Sequence, residues 1–147
     1  MILVPDVNLL VYAYDSRSPW HDRARNWWET SLSDGSAVGI PWVVVLAFTR
    51  LMTHPTLSEN PMTVEEVHER IDEWLALPQT LLLVPREGTL GHMFDLLGSV
   101  GAGGNLSTDA LIAAHALEHG GVVCSNDHDF GRFKGVRWIN PLGLESD

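Results

Sequence analysis

Four aspartates drawn from opposite ends of the chain are the residues whose type and spacing suit chemistry: Asp6, Asp109, Asp127 and Asp129. Asp6 directly follows Met1 to Pro5, a short apolar run that reads as a buried first strand. Asp109 sits at the mouth of a strongly apolar helical segment that stops at Gly120-Gly121. A β-rich run, Val122 to Ser125, then leads at once into Asp127 and Asp129. Ligands of open parallel sheets collect beyond the carboxyl ends of strands. If the strands before Asp6 and Asp127 are neighbours, their carboxylates open on the same edge, with Asp109 entering from the helix between. At ~5 Å and an effective dielectric near 20, each like-charge pair costs about 3 kcal/mol, so the set needs a compensating cation. Hard oxygen ligands with spare positions suit Mg²⁺ or Mn²⁺, which bind through one or two carboxylates, waters and substrate phosphate.

Each acid also has an ordinary use. Asp109 suits a helix N-terminus through the dipole, Asp127 and Asp129 suit a turn, and Asp6 suits an N-cap. The joint placement at one sheet edge favours the metal site, with Asp6, Asp109 and Asp127 as ligands and Asp129 as a further ligand or an orienter of water. Asn8 is placed to orient Asp6 or touch a coordinated water, or is a plain helix-surface residue. Ser125 either holds a carboxylate or water through its hydroxyl or fills the strand. Asn105 either caps the 105–109 turn or lines the site, turn chemistry being its commoner use. The seven histidines show no ligand spacing with the single cysteine, and His115 and His119, four apart on one helix face but in no HExxH motif, read as surface polar residues, so zinc is not indicated.

The elements that must position these groups alternate along the chain. After the first strand, residues 7–14 read as a short helix with Asn8 in its first turn. Ser18-Pro19 reads as the start of a second helix, Ser18 capping it and Pro19 at its first position, and Trp20, Ala24, Trp27, Trp28, Ser31 and Leu32 recur at helical spacing. A strand over 37–40 turns through Pro41 into an apolar helix over 42–53, stopped by His54-Pro55. Thr63 with Glu66 forms a capping box for a helix whose apolar stripe is Val64, Val67, Ile71, Trp74 and Leu75. A strand over 81–84, a weaker helix over 88–99, a glycine-rich link at 101–104 and a last strand over 136–139 complete the pattern. Strands alternating with helices of this length predict an α/β fold, a three-layer α/β/α sandwich with a mostly parallel central sheet.

With 147 residues, 45% hydrophobic and 19% charged, the expectation is one domain spanning 1–147 with a real core. The lone Cys124 excludes an intrachain disulfide and fits a reducing, cytoplasmic setting. No apolar run reaches the ~18 residues of a membrane span and no basic and apolar leader opens the chain, so a soluble, unprocessed protein with no membrane partner is expected. A net charge of −10 argues against binding nucleic acid through a broad basic surface, but not against an enzyme that meets phosphates through metal. It also suits a basic protein partner. Six of the 19 acids fall between Glu59 and Glu73, which reads as a solvated helix face.

Taken together, the residues resemble the PIN-domain ribonuclease family and, within it, the VapC-type toxins of toxin–antitoxin pairs. The likeness rests on Asp6 and Asn8 after the opening strand, the GNLSTDA turn that delivers Asp109, the SNDHDF loop with Asp127 and Asp129, the THP run at 53–55 and the close RWINPL at 137–142. The resemblance implies a compact α/β/α sheet, Mg²⁺- or Mn²⁺-dependent cleavage of an RNA substrate, a homodimer and inhibition by a cognate VapB-type antitoxin. It also implies a glutamate on the helix over 42–53; the register puts Ala47 there, and that helix has no acid. Arg50, one turn on, matches a basic residue of many relatives, placed to clamp phosphate or to pair with one of the acids. The missing acid keeps a second reading open, in which the fold serves as a weakened binding module for antitoxin or nucleic acid. Phosphoacceptor and haloacid-dehalogenase patterns are not met, because Asp6 has neither an acidic neighbour nor a second acid two residues on.

Overall fold

In the computed structural model, which describes residues 1–56, 60–101 and 106–143, a short strand β1 (Leu3–Pro5) runs down the middle of a sheet and feeds α1 (Val7–Tyr14) through Asp6. The chain continues through α2 (His21–Ser33), β2 (Val38–Pro41), α3 (Trp42–Thr53), α4 (Val64–Leu75), β3 (Thr80–Leu83) and α5 (Glu87–Val100). It closes with α6 (Leu106–Glu118), β4 (Val122–Cys124), a 3₁₀ turn (His128–Arg132) and β5 (Trp138–Ile139). Among the described residues, five strands and six α-helices form a three-layer α/β/α sandwich. The sheet is wholly parallel, in the order β3-β2-β1-β4-β5.

That order decides where a ligand can sit. From β1 the chain builds outward on one side through β2 and β3, then returns to add β4 and β5 on the other. The reversal leaves a crevice at the carboxyl ends of β1 and β4, the switch point where open α/β sheets bind ligands. The register there pairs Pro5 with Cys124, and the Asp6 amide donates to the Cys124 carbonyl at 2.9 Å. Asp6 and Ser125 are therefore the next residues out of two neighbouring strands.

Local signals explain most element ends. Thr63 accepts from the Glu66 amide at 3.0 Å and Glu66 accepts from the Thr63 amide at 2.9 Å, completing the expected capping box. Helix α6 ends on Gly120, whose φ of +61° favours glycine, with the Gly121 amide closing on the Ala116 carbonyl at 2.7 Å. At Gly121 a β-carbon would stand 2.7 Å from the Ile2 carbonyl oxygen, so only glycine lets the chain pass beside β1. The aromatic residues of α1 to α4 knit those helices together: Trp74 packs edge-on against Trp28 and Phe48, and its indole donates to the Tyr14 hydroxyl at 2.9 Å. No helix among the described residues is long and apolar enough to cross a membrane.

Several expectations need correction. Helix α2 begins at His21, not at Ser18-Pro19; the Ser18 hydroxyl and carbonyl are taken by the Trp20 and His21 amides, each at 3.1 Å, so that pair makes a turn before the helix. Val64 lies outside the buried stripe of α4, 65% exposed, because it occupies the first position after the cap, before the helix settles onto its neighbours. His115 is not a surface residue but 1% exposed, with both ring nitrogens unpartnered among the described residues, while His119 is exposed as expected. Ala110, Ile112, Ala113, Ala114 and Ala116 are buried too, so α6 is enclosed over most of its circumference and no face is left for His115. Burial holds its pKa below the usual imidazole value.

Candidate metal centre

Three of the four aspartates converge. Asp6, Asp109 and Asp127 each offer a carboxylate oxygen, and these atoms all lie within 4.8 Å of one another. Asp6 is delivered by the end of β1 and doubles as the cap of α1, accepting from the Val7 amide at 2.7 Å. Asp109 comes from the first turn of α6, with its positive dipole end behind it. Asp127 precedes the 3₁₀ turn and accepts from the Asp129 amide at 2.9 Å. The capping bonds of Asp6 and Asp127 each engage one carboxylate oxygen, so a capping role and a place with Asp109 in the acidic cluster are compatible in the same side chain.

Ser125 is the hub. Buried between the strand end and the acids, its hydroxyl donates to Asp6 Oδ2 at 2.7 Å and accepts from the Asp127 amide at 2.9 Å and the Asn8 side-chain amide at 3.3 Å. One donor and two acceptor positions exhaust a hydroxyl, so Ser125 fixes three neighbours at once and is no strand filler. Asn8 Oδ1 is buried without a partner among the described residues, an acceptor next to this network.

The electrostatics show a charge excess. The Asp109 carboxyl is pushed up to about 7, first by burial, then by the charges of Asp6 and Asp127 and by a hydrogen bond shared with Asp127. Asp6 is also raised, by burial above all, against the lowering effect of its bonds to Ser125 and Val7. Both shifts have the sign expected of carboxylates crowded together in a partly desolvated site. An all-carboxylate set with an oxygen acceptor beside it fits a hard divalent cation such as Mg²⁺ or Mn²⁺.

The remaining candidates stand further out. Asp129 is half-exposed, is not one of the three converging acids, and lies 3.8 Å from Arg132. Its charge raises Asp109 least of the named causes. Arg50 is exposed on α3, and among the described residues it pairs with none of the acids, which corrects the ion-pair expectation. Ala47 is half-buried on the same helix. Asn105 lies outside the described residues.

Sequence reasoning passed over a second set of contacts. The Trp138 indole donates to the Ser125 carbonyl at 3.0 Å, and the Asn140 amide donates to Asn126 Oδ1 at 2.9 Å. Both residues fall in the RWINPL run, whose likeness to VapC-type toxins was the one available signal.

Comparison with known proteins places the chain in a family. A family model for the PIN domain matches residues 3–136. The chain belongs to the PIN-domain family, in its VapC-type branch. Ribonuclease VapC37 of Mycobacterium tuberculosis is 39% identical over 141 residues, covering 96% of this chain and 98% of the relative. Ribonuclease VapC33 of the same organism is 30% identical over 141 residues, covering 96% and 99%. In shape, this PIN domain resembles FitAcB from Neisseria gonorrhoeae, with a TM-score of 0.69 and 20% identity over 98% of this chain and 100% of that one. It also resembles VapBC2 from Rickettsia felis, solved with a promoter DNA fragment, with a TM-score of 0.66 and 20% identity over 95% and 98%. At such identities the structural likeness speaks for the fold.

Proposed function

We propose that this PIN domain is a metal-dependent endoribonuclease, the toxin of a type II toxin–antitoxin pair. The observation that carries the reading is the convergence of Asp6, Asp109 and Asp127 within 4.8 Å at the switch point of the sheet. Asp6, Asp109 and Asp127 would hold Mg²⁺, or Mn²⁺ in its place. When bound, the ion activates water toward a phosphodiester and offsets the charge that develops on the phosphate. The chain's own residues do the rest. Ser125 keeps the Asp6 carboxylate turned toward its neighbours and ties the Asp127 backbone to it; Asn8 holds Ser125 in place. Asp129, beside Arg132 on the open side of the site, orients water, and exposed Arg50 is available to clamp phosphate. The name of the ribonuclease relatives supports RNA as the substrate.

The reading includes a VapB-type antitoxin, a homodimer and a cytoplasmic location. A groove of about 290 Å³ between α3 and α4, lined by Trp42, Val45, Val64, Val67, Ile71 and Leu75, supports docking of an apolar antitoxin helix. Exposed Leu90 and Phe94 on α5 support self-association. Incubating the purified chain with total RNA in Mg²⁺, Mn²⁺ or chelator tests the enzyme: fragments with discrete ends are expected with either metal and none with chelator. Equal cleavage in chelator would contradict it.

One observation favours a second reading, a weakened binding module: α3 brings no acid to the site, since Ala47 stands where the family's glutamate is expected. Calorimetric titration separates the two, because a module without Mn²⁺ binding and without Mn²⁺-stimulated cleavage still binds its partner.

A further inference from the structure

The acid-bearing loop, residues 125–129, hangs off the end of β4 and is not itself part of the sheet. Its position is set from the edge strand β5. Trp138 lies across it: the indole N–H donates to the Ser125 carbonyl at 3.0 Å, and the ring meets the His128 ring edge-on at a centroid distance of 5.3 Å. A β-carbon on Gly131 would stand 3.5 Å from the same indole, so the 3₁₀ turn packs directly on it. Two residues on, the Asn140 amide donates to Asn126 Oδ1 at 2.9 Å, while Asn140 Oδ1 accepts from the Leu142 amide at 3.1 Å. The Leu142 carbonyl in turn accepts from Arg23 of α2 at 3.1 Å. The Ser125 amide meanwhile donates to the Ile139 carbonyl at 3.1 Å, which closes the ladder between the two segments.

Ser125 and Asn126 are thus gripped from the side facing away from the acids, and Ser125 is the residue whose hydroxyl sets Asp6 and the Asp127 amide. We propose that Trp138 and Asn140 are positioning residues of the metal centre, acting through Ser125 and Asn126 to hold Asp127 in register with Asp6 and Asp109. A carboxylate set tolerates little displacement of a ligand-bearing loop, and losing the groups that orient ligands weakens metal binding by about 10- to 100-fold. The inference rests on the metal reading of the three acids.

The test uses Trp138→Phe, which keeps a ring over His128 and Gly131 but removes the N–H, Asn140→Ala as a second variant, and Ile139→Thr as a control. Ile139 lies between them, 45% exposed, and its side chain takes no part in the brace. Calorimetric titration with Mn²⁺ should show about tenfold weaker binding for Trp138→Phe and Asn140→Ala and unchanged binding for Ile139→Thr. In the metal-free protein, amide exchange at Asp127 and Asp129 should quicken by about tenfold, as local opening predicts, while the Val67 and Ile71 amides of α4 keep their wild-type rates. RNA cleavage should recover its wild-type kcat at saturating Mn²⁺ with KM for RNA unmoved. Wild-type affinity in both variants, or equal quickening at α4, would overturn the inference and leave the metal reading standing. A wild-type protein that binds no Mn²⁺ would overturn both.

Discussion

Replacing Asp109 by Asn removes a charge from the most crowded point of the site and keeps the side chain's shape. Folding lifts the Asp109 carboxyl from 3.8 to about 7, a displacement equivalent to about 4 kcal/mol at 1.36 kcal/mol per tenfold. Asp109 is only partly buried, and its titration is shared with Asp6 and Asp127, so solvent screening and coupling reduce the figure to about 2 kcal/mol. The sign follows from linkage. An acid raised on folding penalises the native state fully above about pH 7, and the penalty fades as pH falls from there to the unfolded value near 4. In metal-free buffer at pH 8, Asp109→Asn should therefore melt about 6 °C above wild type, at roughly 3 °C per kcal/mol for a chain of this length. The gap should close at pH 4. Millimolar Mn²⁺ should reverse the order at pH 8, since only wild type keeps three charged ligands. Differential scanning calorimetry at the two pH values reads all of this. A variant no more stable than wild type at pH 8, or a gap that persists at pH 4, would refute the reasoning.

Further outcomes follow from contacts elsewhere in the fold. Ser125→Ala strips Asp6 Oδ2 and the Asp127 amide of their common partner and should cost about 1–3 kcal/mol in urea unfolding; an unchanged midpoint would mean the hydroxyl is dispensable. Gly121→Ala forces a β-carbon against the Ile2 carbonyl at 2.7 Å and should lose about 1–3 kcal/mol by thermal circular dichroism, whereas Gly91→Ala, in open space on α5, should lose nothing or gain slightly. Trp74→Phe deletes the bond to the Tyr14 hydroxyl and part of the contact with Trp28, and should cost about 1–3 kcal/mol, with the tryptophan emission spectrum reporting the repacked cluster.

Much of the architecture is written locally. Helices α1, α3 and α4 run over the expected residues because Asp6, Pro41 and the Thr63–Glu66 box mark their starts within one turn of sequence. Strand ends slip by a residue or two, since pairing partners rather than local composition decide where a ladder stops; β5 keeps only Trp138 and Ile139 of the expected 136–139. The burial of His115 left no trace because a helical pattern sets a wet face against a dry one, and α6 is dry over most of its circumference. The convergence of Asp6, Asp109 and Asp127 was legible from their places at two strand ends and one helix start. The groups that hold them were less so: the Ser125–Asp6 bond spans 119 residues, and the Trp138 and Asn140 contacts leave no periodic trace.

A metal-dependent nuclease of this kind requires three aspartates from distant parts of the chain to share one ion. Calorimetric titration of Mn²⁺ into wild type and into Asp6→Asn, Asp109→Asn and Asp127→Asn at pH 7.5 measures that directly. Saturable binding to wild type, weakened at least about tenfold by each substitution alone, is the predicted result. Binding that survives any one of the three substitutions unchanged, or no binding to wild type, would contradict it.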